Sequence, residues 1–227
     1  MIVIKRVMES LLRSNDETAQ LLHHEWNEMG TLVVNLISST GSGKTTLLEA
    51  ALPRLKDDAR ILVIEGDIET DHDARRMEAI GIDAIQITTG GACHLEAHLI
   101  EKAWRSMQAR GPYDIVFIEN VGNLVCPAEF NLGEDFKAMI LSVAEGDDKP
   151  LKYPLMFHES SVLLINKIDL LPFCDCDPSL IEERALKINP HLTIFRVSCR
   201  TGEGLDQWTD WLRQQIRRRN PGKYVNH

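Results

Sequence analysis

The chain lacks any apolar run long enough to cross a bilayer, and its first residues lack the order of charge, apolar core and small-residue cleavage site of a signal peptide. It also lacks an excess of basic residues. The formal net charge is −9, which argues against a surface that neutralises nucleic-acid phosphates or anionic lipid. These absences predict a cytoplasmic protein that binds neither nucleic acid nor membrane.

An even set of cysteines is also lacking. The 227 residues include five cysteines, an odd number in a chain without a secretion signal, so we expect reduced thiols rather than a disulfide framework. Repeats, low-complexity tracts and linkers are absent too, and the length suits one substantial core. We therefore expect a single domain over residues 1–227.

Seven short runs rich in β-branched and aliphatic residues recur along the chain, and helical patterns lie between most of them. Continuous apolar runs suit strands buried on both faces, and their alternation with helices predicts an α/β fold with a mostly parallel sheet of about seven strands flanked by helices. The expected strands are 31–38, 60–66, 83–89, 114–119, 136–143, 161–167 and 192–198. The expected helices are 45–55, 73–80, 93–108, 178–188 and 204–217.

A further helical pattern precedes the first strand. Apolar residues recur at helical spacing over residues 7–29, which predicts a helix or helical pair packed on the sheet. We interpret residues 1–30 as an N-terminal helical extension of the domain. The apolar members of the pattern are Leu11, Leu12, Ala19, Leu21, Leu22 and Trp26.

The stretch SSTGSGKTT, residues 38–46, has the form of a phosphate-binding loop, although Ser38 stands where G-x-x-x-x-G-K-[ST] begins with glycine. A buried strand before it and a helix after it give the context that this motif requires. Backbone N–H groups at the start of the helix can point at phosphate oxygens, Lys44 can reach the β and γ phosphates, and the Thr45 hydroxyl can ligate Mg²⁺. The predicted phosphate-binding residues are Gly41, Ser42, Gly43, Lys44, Thr45 and Thr46.

The sequence NKID, residues 166–169, follows the sixth apolar run and has the form of the guanine-binding motif of GTPases. The Asp169 carboxylate would accept hydrogen bonds from guanine N1–H and the 2-amino group, which adenine cannot donate in this way. Asn166 would contact the purine edge, and the stem of Lys167 would cover the ring. The motif predicts that GTP is preferred over ATP.

The sequence SCRTGEG begins at Ser198, after the last expected strand, where GTPases of this class place a loop that touches the guanine. Ser198 and Cys199 are therefore candidate nucleotide-binding residues. The alternative is a simple turn before the last helix.

Two strands are expected to end in acidic residues that suit catalysis. Glu119-x-x-Gly122 occupies the place of the Asp-x-x-Gly of many GTPases, so Glu119 could hold Mg²⁺ through a water and the Gly122 N–H could sense the γ-phosphate. Asp67 could bind Mg²⁺ or orient the attacking water. The candidate catalytic residues are Lys44, Asp67 and Glu119, and the candidate Mg²⁺ ligands are Thr45, Asp67 and Glu119; Asp71 and Asp73 suit the start of a helix.

Cys93 and His94 follow a pair of glycines, and Cys126 lies shortly after Gly122. Thiolate and imidazole together suit Ni²⁺ or Zn²⁺, and three ligands leave a position for exchange or for a partner subunit. A structural interpretation remains open, in which the cysteines are small buried hydrophobes and His94 and His98 face solvent, four residues apart on one helix.

Cys174 and Cys176 add a Cys-x-Cys sequence in an expected loop. Two ligands do not make a metal cage, so coincidence is the favoured explanation.

The motifs taken together resemble the HypB family, the GTP-dependent nickel-incorporation proteins of [NiFe]-hydrogenase maturation. The resemblance covers nearly the whole chain and includes the segments NLISSTGSGKTTLLE, GGACHLEAHL, IENVGNLVCPAEFNLGE, EGDDKPLKYPLMF and LLINKIDLLP. It implies a P-loop GTPase of the SIMIBI class that hydrolyses GTP to GDP and phosphate and inserts Ni²⁺ into the hydrogenase. The serine at position 38 fits the loop of that family.

The resemblance further implies a metal site of Cys93, His94 and Cys126 at the interface of a homodimer that GTP favours. Implied partners are a HypA-type nickel chaperone and the hydrogenase large-subunit precursor, and Zn²⁺ fits the same ligands. The γ-phosphate would reorder the segment that contains Gly122 and Cys126, so hydrolysis could change the metal affinity. Some relatives have an N-terminal cysteine-rich start or histidine-rich stretch, and this chain has neither.

Three alternatives remain. A urease-type nickel chaperone of the UreG kind is one, although the CPH metal motif of that family is missing because Ala128 follows Cys126-Pro127. A metal-binding or storage module whose nucleotide is merely structural is the second. A small-molecule kinase is the third, and NKID disfavours it.

Overall fold

The computed structural model describes residues 2–67 and 72–224, with side chains over 12–67 and 73–223. Within these ranges seven parallel strands form one sheet in the order β3-β2-β4-β1-β5-β6-β7. The strands are β1 (Leu32–Ser38), β2 (Ile61–Asp67), β3 (Asp83–Thr88), β4 (Ile115–Glu119), β5 (Phe136–Ser142), β6 (Val162–Asn166) and β7 (Thr193–Arg196). The expected parallel α/β fold is confirmed.

The described α-helices connect the strands and cover the sheet. They are α1 (Ile2–Met29), α2 (Lys44–Ala51), α3 (His72–Ala79), α4 (Ala97–Met107), α5 (Cys126–Glu129), α6 (Lys149–Lys152), α7 (Pro154–His158), α8 (Pro178–Ile188), α9 (Leu205–Arg219) and α10 (Pro221–Tyr224). Short 3₁₀ segments follow α2, α4, β5 and β6. None of the described helices is both long and apolar enough to span a membrane.

The central strand β1 is buried on both faces, as its continuous apolar sequence predicts. Val34 and Leu36 point into a core shared with α2, α3 and α9. Val33 points to the opposite face and packs in a core with α1 and α4, and Ile37 joins a third core with α7 and α8. The alternation along one strand thus places helices on both faces of the sheet.

The helix α1 packs on the sheet, as the apolar pattern predicts, and it runs from Ile2 rather than residue 7. Leu22 and Trp26 are fully buried, and the Trp26 ring meets Trp104 of α4 edge to face at 5.8 Å. Leu21, an expected apolar member, is exposed instead. The side chain of Leu11 lies outside the described residues.

Two expected helices differ from the observed ones by four residues at one end, and α3 and α9 differ by one or two. The helix expected over 45–55 is α-helical only to Ala51, because Pro53 lacks an N–H and a 3₁₀ turn follows. The helix expected over 93–108 begins at Ala97, after an extended Glu96. Placing His94 and His98 on one helix was therefore wrong, since His94 lies in the turn before α4. Asp73 lies in the first turn of α3 as expected, and Asp71 lies outside the described residues.

Candidate functional site

The carboxyl ends of the parallel strands bring the candidate nucleotide-binding residues to one edge of the sheet. A cavity of about 570 Å³ opens there between the loops after β1, β2, β4 and β6. The loops after adjacent parallel strands diverge at this edge, which is where ligands bind in open α/β sheets. The predicted residues that line the cavity are Gly41, Gly43, Lys44, Thr45, Thr46, Asp67, Glu119, Gly122, Asn166, Lys167, Asp169 and Cys199.

The phosphate loop has the backbone that its glycines permit. Gly41 and Gly43 have φ values of 78° and 101°, and Gly43 is the N-cap of α2. A Cβ on Gly43 would lie 2.7 Å from Asn166 Nδ2, so another residue there would strain the backbone and displace the Asn166 amide. Ser38, which replaces the first glycine of the motif, is fully buried, and its hydroxyl accepts a 3.0 Å hydrogen bond from Lys44 Nζ. The serine therefore gives the lysine ammonium a partner inside the loop.

A carboxylate from a separate segment braces the loop from behind. Glu145, in the 3₁₀ turn after β5, accepts a hydrogen bond from Ser42 Oγ at 2.7 Å and another from Ser39 Oγ. The same side chain accepts from the backbone N–H of Ser142 at 3.0 Å. The loop conformation is thus tied to the end of β5.

The NKID segment is hydrogen-bonded to the phosphate loop. Asn166 Nδ2 donates to the Ser42 carbonyl at 2.9 Å, and Lys167 Nζ donates to the Gly41 carbonyl at 2.7 Å. Lys167 has a φ of 62°, a left-handed conformation that is uncommon outside glycine. These contacts fix the candidate base-binding residues and the candidate phosphate-binding residues relative to one another.

Asp169 lines the cavity, and Ser198 orients it. Ser198 Oγ donates to Asp169 Oδ1 at 2.6 Å, and Ser198 itself is fully buried and does not line the cavity. Ser198 also accepts from the Thr201 N–H at 3.1 Å, so it supports both Asp169 and the loop that contains Cys199. Cys199 does line the cavity, and its thiol donates to Asn166 Oδ1 at 3.3 Å. Burial raises the pKa of Cys199 to about 11, so it is a neutral thiol at pH 7.

Two buried glutamates face each other beside the phosphate loop. Glu119 ends β4, and Glu65 is its register partner on β2. Glu119 Oε1 accepts a 2.8 Å hydrogen bond from Thr45 Oγ1. Glu119 Oε2 and Glu65 Oε1 are buried without a donor among the described residues.

Burial, followed by the charge of Glu119, raises the pKa of Glu65 well above its usual value. Burial also raises the pKa of Glu119, while Lys44 acts in the opposite direction. We therefore assign the proton to Glu65 and the charge to Glu119. An anionic buried oxygen beside a threonine hydroxyl matches the oxygen ligands that Mg²⁺ prefers, so these residues fit the predicted magnesium site.

Asp67 is the last residue of β2 and lines the same cavity. Asp73 and Arg76 of α3 line it as well, and Arg76 forms ion pairs with Asp73 at 2.8 Å and with Glu49 at 2.5 Å. These ion pairs turn the guanidinium toward protein carboxylates.

The phosphate loop touches the segment that follows β4. Thr40 Oγ1 donates to the Gly122 carbonyl at 3.0 Å. A Cβ on Gly122 would lie 2.8 Å from Thr40 Oγ1 and 2.9 Å from Thr40 Cα, so only glycine fits without displacement. Any movement of Thr40 is therefore transmitted to the segment that continues to Cys126.

The three candidate ligands of the transition metal lie together, as the motif analysis predicted they could. Cys93 Sγ is 3.0 Å from Cys126 Sγ and 3.4 Å from His94 Nδ1, and one ligand atom of each residue lies within 4.8 Å of the others. In the described ranges no other group of three or more such side chains meets the same distances, so Cys174 and Cys176 do not form one. Two thiols and an imidazole can hold a borderline cation such as Ni²⁺ or Zn²⁺.

The surroundings of these ligands favour a neutral imidazole. The His94 ring stacks on Phe130, with centroids 3.8 Å apart, and burial lowers the pKa of His94. The neutral ring is the form that binds metals. The hydrogen bond with Cys93, followed by burial, raises the pKa of Cys126 to about 11, so metal binding there must displace a proton from a thiol pair.

The comparison with known proteins assigns the chain to a family. Residues 32–196 match the family described as "CobW/HypB/UreG, nucleotide-binding domain". Hydrogenase maturation factor HypB of Escherichia coli K12 is 48% identical over 217 residues, which cover 93% of this chain and 73% of the relative. This chain belongs to the HypB family.

Two solved HypB structures share the fold. HypB from Helicobacter pylori in complex with nickel is 41% identical with a TM-score of 0.86, and the match covers 90% of this chain and 96% of that one. Hydrogenase maturation factor HypB from Archaeoglobus fulgidus is 36% identical with a TM-score of 0.83, covering 90% of this chain and all of that one, 100%. The expected resemblance is confirmed, as is the SIMIBI-class P-loop fold.

Several residues of this HypB-family site were missed by the sequence analysis. Glu65 lies two residues before Asp67. A glutamate near the end of an apolar strand was a usable signal of a functional role, because burying a charge is costly. Thr40 lies within the phosphate-loop motif, and Phe130 and Glu145 lie within segments that carry the family resemblance, but no role was predicted for any of them. Their contacts with the predicted residues are visible only in the folded chain.

The contact between Thr40 and Gly122 predicts the effect of one methyl group. Gly122→Ala should weaken GDP and GTP binding about tenfold or more, since displacing packed backbone costs roughly 1–3 kcal/mol. Gly222→Ala is the matched control, because no atom lies within 4 Å of its added Cβ. Titration calorimetry with both variants measures the difference, and equal affinities would refute the role given to this contact.

The glutamate pair predicts a pH dependence of stability. The folded chain holds the Glu65 proton more tightly than the unfolded chain, because the pKa of Glu65 is raised on folding. The contribution of this proton to the free energy of unfolding is therefore full below pH 4.5 and is lost as the pH rises toward the folded-state pKa. Glu65→Gln imitates the protonated form and should remove this loss, a gain of about 1 kcal/mol or more at pH 8.

Urea unfolding in chelator between pH 5 and 8 tests the prediction. Glu78→Gln, an exposed position, is the control and should follow the parent protein. Parallel pH profiles for the parent and Glu65→Gln would contradict the assignment of the proton.

Proposed function

We propose that this protein binds GTP with Mg²⁺, hydrolyses it to GDP and phosphate, and couples the cycle to Ni²⁺ binding and insertion into [NiFe]-hydrogenase. The observation that carries the proposal is the contact of Thr40 with Gly122, because Gly122 precedes Cys126 on one segment. Gly122, at the start of that segment, contacts the phosphate loop, and Cys126, further along it, belongs to the ligand cluster. A change at the phosphates therefore has a direct route to the cysteine.

The base-binding role falls to the NKID residues. The Asp169 carboxylate, held by Ser198, would accept from guanine N1–H and the 2-amino group. Asn166 and Lys167 would contact the purine edge and cover the ring while they stay bonded to the phosphate loop. An adenine would leave this partly buried acceptor unpaired, and an unpaired acceptor of this kind can give selectivity of up to about 10⁴-fold.

The phosphate-binding role falls to the N–H groups at the start of α2 and to Lys44, which would exchange Ser38 for phosphate oxygens. Thr45, Asp67 and Glu119 would hold Mg²⁺, which supplies neutralisation of phosphate charge when bound. Asp67 lines the cavity opposite the loop and is the candidate for orienting the attacking water. The Gly122 N–H would bind the γ-phosphate, so its loss on hydrolysis would release this segment.

Nickel is the cargo in this proposal. Cys93, His94 and Cys126 offer three ligands, and a tetrahedral or planar site needs a fourth from water, from a donor protein or from a second subunit. We propose a homodimer that GTP favours, with a HypA-type nickel chaperone as donor and the hydrogenase large-subunit precursor as acceptor, in the cytoplasm. The nickel complex of the 41% identical H. pylori relative supports the choice of nickel, and Zn²⁺ fits the same ligands.

The base preference is tested by one isosteric change. Asp169→Asn should weaken GTP binding about 100-fold or more and strengthen xanthosine nucleotides, because the amide can pair with the 2-carbonyl of xanthine. Phosphate release from GTP and from xanthosine triphosphate measures hydrolysis and base choice together.

Asp175→Asn is the matched control, since this exposed residue lies outside the cavity. An unchanged base preference in Asp169→Asn would overturn the guanine assignment. Absence of phosphate release from GTP by the parent protein with Mg²⁺ would overturn the hydrolase proposal.

The coupling is tested by nickel affinity in two nucleotide states. Titration against a competing chelator, with mass measured alongside, should give different affinities and more dimer with a nonhydrolysable GTP analogue than with GDP. Equal affinity and mass in both states would favour a passive metal-binding module.

Cys93→Ala and Cys126→Ala should each lower nickel affinity by about 100-fold or more, because two remaining ligands do not make a cage. Cys174→Ala is the control and should bind as the parent does. Undiminished binding in the first two variants would place the metal elsewhere in the chain.

A further inference from the structure

The helix α1 contributes one buried amide that neither the phosphate loop nor the metal ligands use. The side chain of Asn15 is in a residue only 7% exposed, and both of its polar atoms are bonded. Its Nδ2 donates to the Asn131 carbonyl at 2.7 Å, and its Oδ1 accepts from the Ala97 N–H at 2.8 Å. A buried amide with both bonds made to remote backbone fixes two segments at once.

The two segments are those that carry the metal ligands. Ala97 is the first residue of α4, directly after the turn that holds Cys93 and His94. Asn131 follows Phe130, the ring on which His94 stacks, and belongs to the segment that continues from Cys126. Asn15 therefore bridges the Cys93 side and the Cys126 side of the cluster.

The start of α4 depends on this contact. Glu96, at the N-cap position, makes no side-chain cap hydrogen bond, so its own helix supplies no partner of that kind. The Oδ1 of Asn15 takes this role from another helix and satisfies one of the N–H groups that a helix start leaves open. The turn before α4 is thereby held from outside.

The part of α1 that follows Asn15 is anchored by several contacts. Trp104 Nε1 of α4 donates to Glu25 at 2.9 Å, and Trp26 packs on the same indole. His23 Nδ1 lies 3.0 Å from the Gly133 carbonyl, two residues beyond Asn131. Among the described side chains of α1, Asn15 bonds to both ligand-bearing segments, and it adds to the link that Asn120 makes to the Leu95 N–H.

We propose that Asn15 is a positioning residue of the metal site, which keeps the turn of Cys93 and His94 in register with the segment of Cys126. The inference rests on the proposed metal role of those three ligands. Without the amide, the two segments must be ordered when the metal binds, and that cost lowers affinity. Supporting contacts behind metal ligands are typically worth about 10–100-fold in affinity.

The test uses two substitutions of Asn15. Asn15→Asp is isosteric and keeps the acceptor for Ala97 while it removes the donor to Asn131, so it separates bridging from capping. Asn15→Ala removes both bonds. Nickel affinity by chelator competition should fall about tenfold or more in each variant, and the thiolate-to-nickel charge-transfer band should shift, while GDP affinity should stay unchanged.

Asn189→Ala is the matched control. The amide of Asn189 also bridges remote backbone, to the carbonyls of Phe157 and Ser160, but it lies behind α8 and away from the ligands. This variant should lower the melting temperature and leave nickel affinity and the charge-transfer band unchanged. If nickel affinity fell only because the protein was less stable, the loss would appear in variants of both asparagines.

The outcomes separate the inference from the proposed function. Parent-like affinity and spectrum in Asn15→Asp would overturn the positioning role, and this holds even where Asn15→Ala does not fold. Loss of nickel affinity in Asn189→Ala equal to that in the Asn15 variants would also overturn it. If the Cys93→Ala variant binds nickel as tightly as the parent protein, that result would instead overturn the metal role of the cluster itself.

Discussion

The contact on which the arrangement depends is the approach of Thr40 to Gly122, where no side chain fits between two backbone segments. Thr40 belongs to the loop that starts α2, and Gly122 belongs to the segment after β4. Close packing transmits displacement because a packed contact has few alternative geometries. Under the proposed function, this contact makes the Cys126 segment respond to the phosphates.

Two buried glutamates, Glu65 and Glu119, lie near this contact and lower the stability of the folded chain. Two carboxyls opposite each other on adjacent strands, with one oxygen of each lacking a donor, destabilise the metal-free chain. Under the proposed function, a divalent cation would compensate the charge of Glu119. One proposed Mg²⁺ ligand, Glu119, thus has a buried oxygen that no described donor satisfies, which is common for functional sites.

Local sequence determined most of the fold. Val33 and Val34 predict a strand that is buried on both faces. Gly43 marks the start of α2 and Pro53 follows its end, and both limits follow from backbone chemistry alone. The start of α4 could not be derived in this way. The expected helix extends back to Cys93, but the observed helix begins at Ala97, where a side chain of α1, 82 residues away in sequence, bonds to the first N–H. Contacts at such separation leave no local trace in the sequence.

The residues of the candidate site also fall into those that local sequence predicts and those that only the fold reveals. Lys44, Asp169 and Cys126 sit in motifs whose spacing reports a chemical role, so they could be named before the fold was known. Ser198 could be placed near the base, but only the structure shows that it acts on Asp169 rather than lining the cavity. No motif assigns a role to Phe130 or Glu65, because the contact of Phe130 depends on ring packing and that of Glu65 on strand register.

For hydrolysis to change metal affinity, the ligands must move relative to one another rather than as a body. The structure supports them differently: Cys126 continues from the segment packed on Thr40, whereas the turn of Cys93 and His94 is held by Asn15 of α1 and by Asn120, which accepts from the Leu95 N–H. Under the proposed function, the 3.0 Å between the two sulfurs therefore separates a segment that can respond to phosphate from a turn that α1 helps to hold. Asn15 also bonds to Asn131, which limits how far the two separate. In this proposal, α1 therefore sets the range over which the nucleotide can alter the metal site.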